Sequence, residues 1–388
     1  MKHTWYRAAV VAAAALVVLA APALAGGGLN TAALDSAVQI IDGDNAAGDL
    51  ALVAGDGQIW QGADGDRITG QPVSRDSHYR IGSVSKVFES IVVLQLAEEG
   101  RLDLHARVRQ YLSEALPAAF DTVTVQELLN HTSGLPAEDE GAPPLTPDQL
   151  IASRFDYRTF AQDVHDTLFP DPAVRIAPGP HFVAGTKQEY SSFAYRVAGL
   201  LIEQVTGNSF AKEVGDRITG PLGLRETSVP ERDPRIPAPY LHGYYTGSSG
   251  SVVDVSEQAG LPSTIISTPT DIDRFLVAVL NGDLLPPAQQ QMLFTIPVGP
   301  DGAPLCDIST GPRVQCFSDG GLMSTRMPDG TVLWGKTGHD IGYASGVFAT
   351  RDLSRHGVYA VARIADDNGD APALAQRIGA AAFAKQGG

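Results

Sequence analysis

Two cysteines in 388 residues, no cluster of Lys and Arg, and no long apolar run after the first two dozen positions already narrow the options. The nine histidines are scattered, with no His-x-x-x-His or Cys-x-x-Cys pair, so the usual zinc spacings are missing. No metal and no organic cofactor is expected. Without a basic patch, nucleic acid is excluded as a partner, because phosphate contacts need grouped cations. No Pro/Ser-rich linker or internal repeat divides the chain, although its length alone would allow two or three domains.

The one apolar run lies at the start. Lys2 and Arg7 precede fourteen apolar residues, Ala8 to Ala21, followed by Pro22 and the small-residue site Ala23-Leu24-Ala25. A spanning helix needs roughly 20 such residues, so 1–25 reads as a cleavable signal peptide and not as a membrane anchor. The mature chain, 26–388, is then expected to be secreted, with cleavage after Ala25, and to act as a monomer. Removing the leader moves the net charge from −16 to −18, which speaks to solubility and not to substrate. Export favours a disulfide between Cys306 and Cys316, stabilising by about 3 kcal/mol in the chain-entropy account. A metal site and a cysteine nucleophile are the weaker alternatives.

Chemistry enters with Ser83-Val84-Ser85-Lys86. It follows Gly82 and opens the apolar run Val87 to Leu94, and far downstream stands Lys336-Thr337-Gly338. In a helix, residues three apart share a face, so Lys86 is carried back towards the Ser83 hydroxyl. A lysine that is desolvated and pressed by a second cation can accept the proton a serine nucleophile gives up. At a helix start the backbone N–H groups lack helical partners, which leaves the Ser83 N–H for an oxyanion. Ser209-Phe210-Ala211-Lys212 has the same spacing but follows Thr206-Gly207-Asn208, and it reads as a helix N-cap with a solvated lysine.

Asp49 to Ala54 and Gln58 to Gly62, split by Gly55-Asp56-Gly57, predict a hairpin. Three more strands are expected at Thr331 to Lys336, Ala344 to Ala349 and Val358 to Arg363, then a terminal helix from Ala371 to Ala384. Between them Val125 to Leu129, Ser192 to Gln204 and a segment from Asp271 read as helices. The Pro- and Asp-rich stretch Ala137 to Pro180 reads as an exposed excursion near the cleft. The expected fold is α/β (α+β): an antiparallel sheet, from about 30–82 and 310–388, flanked by terminal helices, with a mostly helical lobe, about 83–309, inserted.

Five segments, in order, carry a resemblance. Tyr79-Arg80-Ile81-Gly82-Ser83-Val84-Ser85-Lys86, Leu128-Leu129-Asn130-His131-Thr132-Ser133-Gly134-Leu135, Tyr190-Ser191-Ser192, Pro221-Leu222-Gly223-Leu224 and Gly335-Lys336-Thr337-Gly338 resemble the class C-type β-lactamase and D-alanyl-D-alanine carboxypeptidase family of serine hydrolases. The resemblance implies Ser83 as acylated nucleophile and Lys86 as its partner. It implies Tyr190 as phenolate or shared proton carrier, its pKa lowered by Lys86 and Lys336; the residue alone would read as a core tyrosine. Lys336 and Thr337 would orient the substrate carboxylate and support the phenolate, Gly338 would face substrate, and the His339 backbone N–H would join that of Ser83 in the oxyanion hole. Independently of the family, a cation beside a hydroxyl suits an anionic peptide terminus or a β-lactam carboxylate. Ser192 departs from the family pattern, which has asparagine there, so lower efficiency or altered substrate choice is expected.

His131 reads as structural, its side chain bonding nearby backbone at a helix C-terminus, and Arg326 as a solvated hairpin residue. The leading expectation is a D-alanyl-D-alanine carboxypeptidase working through an acyl-enzyme on a small peptide or β-lactam substrate. The alternatives are a β-lactamase, esterase or D-aminopeptidase on the same machinery, and a secreted binding protein without turnover.

Overall fold

A computed structural model describes residues 28–136, 144–171, 177–307, 315–364 and 372–384. The proposed leader, 1–25, lies outside them. In chain order the elements begin with α1 (Thr31–Ala37), β1 (Ala46–Gly55), β2 (Gln58–Asp64), β3 (Tyr79–Arg80), α2 (Ser85–Glu98) and α3 (Val125–Leu129). Next come α4 (Pro147–Ser153), α5 (Phe160–Leu168), α6 (Ser192–Thr206), α7 (Phe210–Val214), α8 (Gly220–Leu222), β4 (Tyr244–Thr246), β5 (Val252–Asp254) and β6 (Ile266–Ser267). The chain closes with α9 (Pro269–Asn281), α10 (Pro287–Met292), β7 (Gln315–Phe317), β8 (Met323–Arg326), β9 (Val332–Asp340), β10 (Tyr343–Thr350), β11 (Arg355–Arg363) and α11 (Ala373–Phe383).

Seven strands form one antiparallel sheet in the order β2-β1-β11-β10-β9-β8-β7. Both ends of the chain therefore share it, as expected. Successive side chains of a strand point to opposite faces, and β1, buried throughout, shows what lies on each. Leu50, Leu52 and Ala54 join the large core shared with the helical part, whereas Ala51 and Val53 pack with Leu34 of α1 and Leu374 and Ile378 of α11. The predicted hairpin turns at Asp56-Gly57, one residue tighter than its sequence punctuation suggested, both residues having positive φ.

On the other face α2 is buried on every residue from Ser85 to Leu94. Such a helix is a core element, and packing on all sides fixes what stands at its start. The excursion between Ala137 and Pro180 corrects the sequence reading. Its described part holds α4 and α5, and Phe160, Val164 and Leu168, spaced by four, are buried in the main core. Gly199 of α6 is where α5 docks, since a Cβ there would lie 2.3 Å from the Phe160 ring. Capping boxes Thr146/Gln149 and Thr159/Gln162 start the two helices, and those spacings were readable. The helical part also carries two small two-stranded sheets, β3-β6 and β4-β5. No described helix is long and apolar enough to cross a membrane.

Candidate active site

Ser83 stands on a 3₁₀ turn, Gly82–Val84, that runs directly into α2, so the helix proper begins two residues later than the motif. Two glycines let this turn touch β9. Gly82 has φ +53°, and a Cβ there would come within 2.6 Å of the His339 nitrogen; a Cβ on Gly338 would come within 2.0 Å of the Ile81 carbonyl oxygen. Ser345 Oγ on β10 donates to that same carbonyl at 2.9 Å, tying the turn to the sheet. Lys336-Thr337-Gly338 is thus inside a strand and does not end one. β8 pairs with β9 only from Val332 to Gly335, while β10 accompanies it to Asp340. Among the described residues the β8 pairing stops at Gly335, and Lys336 to Asp340 line a cavity of about 510 Å³ together with Ser83, Lys86, Tyr190 and Ser192.

Lys86, Tyr190, Lys336 and Ser192 gather around Ser83. Lys86 Nζ donates to Ser83 Oγ at 3.0 Å, and the Tyr190 hydroxyl lies 2.9 Å from the same oxygen. Lys336 Nζ sits 4.9 Å from the centre of the Tyr190 ring and donates to the Thr337 carbonyl at 2.9 Å. Tyr190 itself is 43% exposed in the cleft, so it is not the core tyrosine its residue type suggested. Desolvation of its hydroxyl opposes ionisation, but the Lys336 and Lys86 charges, with the hydrogen bonds it shares with Ser192 and Ser83, outweigh it and bring the phenol down to about 7. Burial likewise lowers Lys336, reinforced by Lys86 and opposed by Tyr190. Ser192 reaches the Tyr190 oxygen only at 3.4 Å, a long contact.

The remaining predictions fall around this centre. Thr337 Oγ1 donates weakly to Met323 Sδ at 3.9 Å and lines the cavity, while His339 brings its backbone against Gly82 and leaves its ring exposed. Cys306 and Cys316 form a disulfide with Cα atoms 5.6 Å apart. Arg326 ends β8 in the hairpin before β9. In the second serine-lysine pair, Ser209 caps α7 by accepting from the Lys212 N–H, and Lys212 pairs with Asp216. Among the described residues no group of His, Cys, Asp and Glu is placed to hold a metal.

Sequence reasoning missed the residues that hold Tyr190. His131, at φ +59°, is buried with its ring 4.7 Å from that of Tyr190 and 4.3 Å from that of Phe317. Its Nδ1 accepts the Ser191 N–H at 3.2 Å; burial, with Lys336 and Lys86, keeps the ring neutral. The structural reading of His131 fits, but the backbone it bonds is sixty residues away in sequence. Gln188 bonds the Asn130 and Phe317 carbonyls, both at 2.8 Å, and accepts the Phe317 N–H. No local pattern announces Gln188.

Residues 37–383 match the β-lactamase family. The chain belongs to that family of serine hydrolases. Among curated relatives it is 34% identical to Esterase EstB of Burkholderia gladioli over half of each chain, and 30% identical to Penicillin-binding protein 4 of Amycolatopsis lactamdurans over 60% of this chain and 58% of that one. It spans about half the length of these relatives. A D-stereospecific amidohydrolase from Streptomyces sp. superposes with a TM-score of 0.75 and 29% identity, over 92% of this chain and 99% of that one. The hydrolase fold is therefore shared across nearly the whole chain.

Proposed function

We propose that this hydrolase is an exported acyl-transfer enzyme, with Ser83 as nucleophile, acting on small amides and esters whose leaving group is uncharged, D-amino-acid amides foremost. The observation that carries the reading is Ser83 Oγ within 3.0 Å of both Lys86 Nζ and the Tyr190 hydroxyl, a phenol that ionises near neutrality. As phenolate, Tyr190 takes the proton of Ser83 while Oγ attacks the carbonyl carbon. The Ser83 and His339 N–H groups receive the oxyanion. Tyr190 then returns the proton to the leaving amine or alcohol as its bond to the acyl carbon breaks, and water reverses the sequence to free Ser83. The part of β9 that lines the cavity beyond its pairing with β8 offers a wall along which an extended substrate can lie.

The choice of an uncharged leaving group follows from Lys336. It is 3% exposed, and its ammonium is held by the Thr337 carbonyl and by Tyr190. A terminal carboxylate would have to displace those partners. Likeness to a D-stereospecific amidohydrolase and to an esterase supports the same choice. Removal of terminal D-alanine is the second reading, favoured by the likeness to a penicillin-binding protein and by the Thr337 hydroxyl at the cavity wall.

The test offers purified protein and its Ser83→Ala variant D- and L-amino-acid amides, a short acyl ester, a D-Ala-D-Ala peptide and a penicillin, with intact mass recorded after rapid quenching. Turnover of D-amides or the ester, and a transient adduct absent from the variant, is expected. Faster release of D-alanine would establish the second reading, and full activity in Ser83→Ala would sink both.

A further inference from the structure

One buried acid in this site has no part in the steps above. Glu89 lies three residues after Lys86 and six after Ser83, so all three share one face of the turn and helix. It is 1% exposed and contributes to the cavity wall, and its Oε2 makes no hydrogen bond. Opposite stands Arg196, one turn beyond Ser192 on α6 and in the same wall. The Ser263 hydroxyl lies between them, bonded to Glu89 and, at 3.3 Å, to Arg196 Nη1. Asp163 of α5 backs Arg196 at 3.6 Å. The charged and titratable groups facing Glu89 are therefore Lys86 on its own helix and Arg196 and Tyr195 on α6, with Asp163 behind.

A buried carboxyl with one oxygen unbonded is destabilising wherever it stands, yet this one lines the same cavity as the Lys86 ammonium that touches Ser83. We propose that Glu89 is a positioning residue acting through Lys86: its charge offsets the field of that ammonium at Tyr190 and so governs how readily the Ser83–Tyr190 proton path is open. Burial raises the Glu89 carboxyl to about 7, against the pull of Lys86 and Arg196, which places it in the range where Tyr190 also titrates. Two acids then draw on the same cation. As pH rises, ionisation of either one makes ionisation of the other harder.

The inference rests on the proposed role of Tyr190, and its test is separable from that role because no substrate is needed. Tyrosinate absorbance is followed through a pH titration, with the Tyr190→Phe protein subtracted, in the native and Glu89→Gln backgrounds. Gln keeps the shape and loses the charge. The Tyr190 step is expected to move to lower pH by roughly half to one unit and to become steeper. The acid limb of kcat/KM should move with it, whereas a purely structural Glu89 would change stability or amplitude and leave both midpoints in place. If Gln prevents folding, Glu89→Met, which buries no polar group, carries the same expectation. A folded variant whose Tyr190 step keeps its midpoint and steepness overturns the inference. Full activity in Tyr190→Phe would instead overturn the proposed function.

Discussion

Gly338→Ala is the smallest perturbation that separates the parts of this site without touching a reacting group. The added Cβ would lie 2.0 Å from the Ile81 carbonyl oxygen and 2.4 Å from Ser345 Oγ, against ordinary contact from 3.4 Å. Relief requires about 1.4 Å of separation at the carbonyl, and β9 is the less able to move because β10 holds it along its length. The turn gives way instead. Ser83 is carried from the His339 N–H, and the Ser345 bond to Ile81 is strained or lost, at a cost of about 1 kcal/mol in stability. A displacement of about 1 Å at reacting atoms lowers rates roughly 100-fold. The loss should fall on kcat more than on KM, since the cavity wall remains. Stopped-flow acylation on an ester substrate, with thermal melting as the folding control, reads both quantities. A variant that acylates within threefold of the native rate would show that contact between the Ile81-Gly82 turn and β9 does not set the nucleophile, and the geometric argument would fail.

Two further expectations concern charge. Tyr190→Phe keeps the ring packed on His131 and Phe317 but removes the hydroxyl proposed to carry the proton, so kcat/KM should fall by roughly 10²–10⁴. In the native enzyme kcat/KM should rise with pH to a plateau above about 7, as the phenolate fills, and a pH profile of the variant lacking that limb checks the assignment. Asp49, fully buried in β1 with Oδ2 unbonded, has its carboxyl pushed up to about 8 by desolvation, despite the Asp64 N–H it accepts. Because the folded state holds this proton more tightly than the unfolded chain, stability is fully present below the ordinary aspartate value of 3.8 and is lost progressively as pH rises towards 8. Asp49→Asn should therefore raise the melting temperature at pH 7, by an amount equivalent to at most about 4 kcal/mol, and lose that advantage near pH 4; melting curves at the two pH values decide it.

Sequence alone determined the parts list of the centre and the strands that carry it. Ser83 and Lys86 are one helical turn apart, and Lys336 ends a short run of strand-forming residues bounded by glycines, so local pattern places each on its element. The sheet and the terminal helix were legible locally, since β1 is a short apolar run ended by the Gly55-Asp56-Gly57 turn and α11 buries Leu374, Ala375, Ile378 and Ala382 at helical spacing. The burial of α5 was missed because its apolar positions are few among polar ones, although its capping box was present. Only the tertiary structure decided that Tyr190 faces the cleft, that Lys336 is engaged by its own strand, and that Gln188, His131, Ser345 and Glu89 surround the centre. Apart from the Lys336 bond to its neighbour Thr337, those facts rest on contacts between segments far apart in the chain, up to 264 residues for Ser345 and Ile81. Such contacts leave no period in the chain, because burial and electrostatic fields are set by what folding brings alongside and not by sequence neighbours.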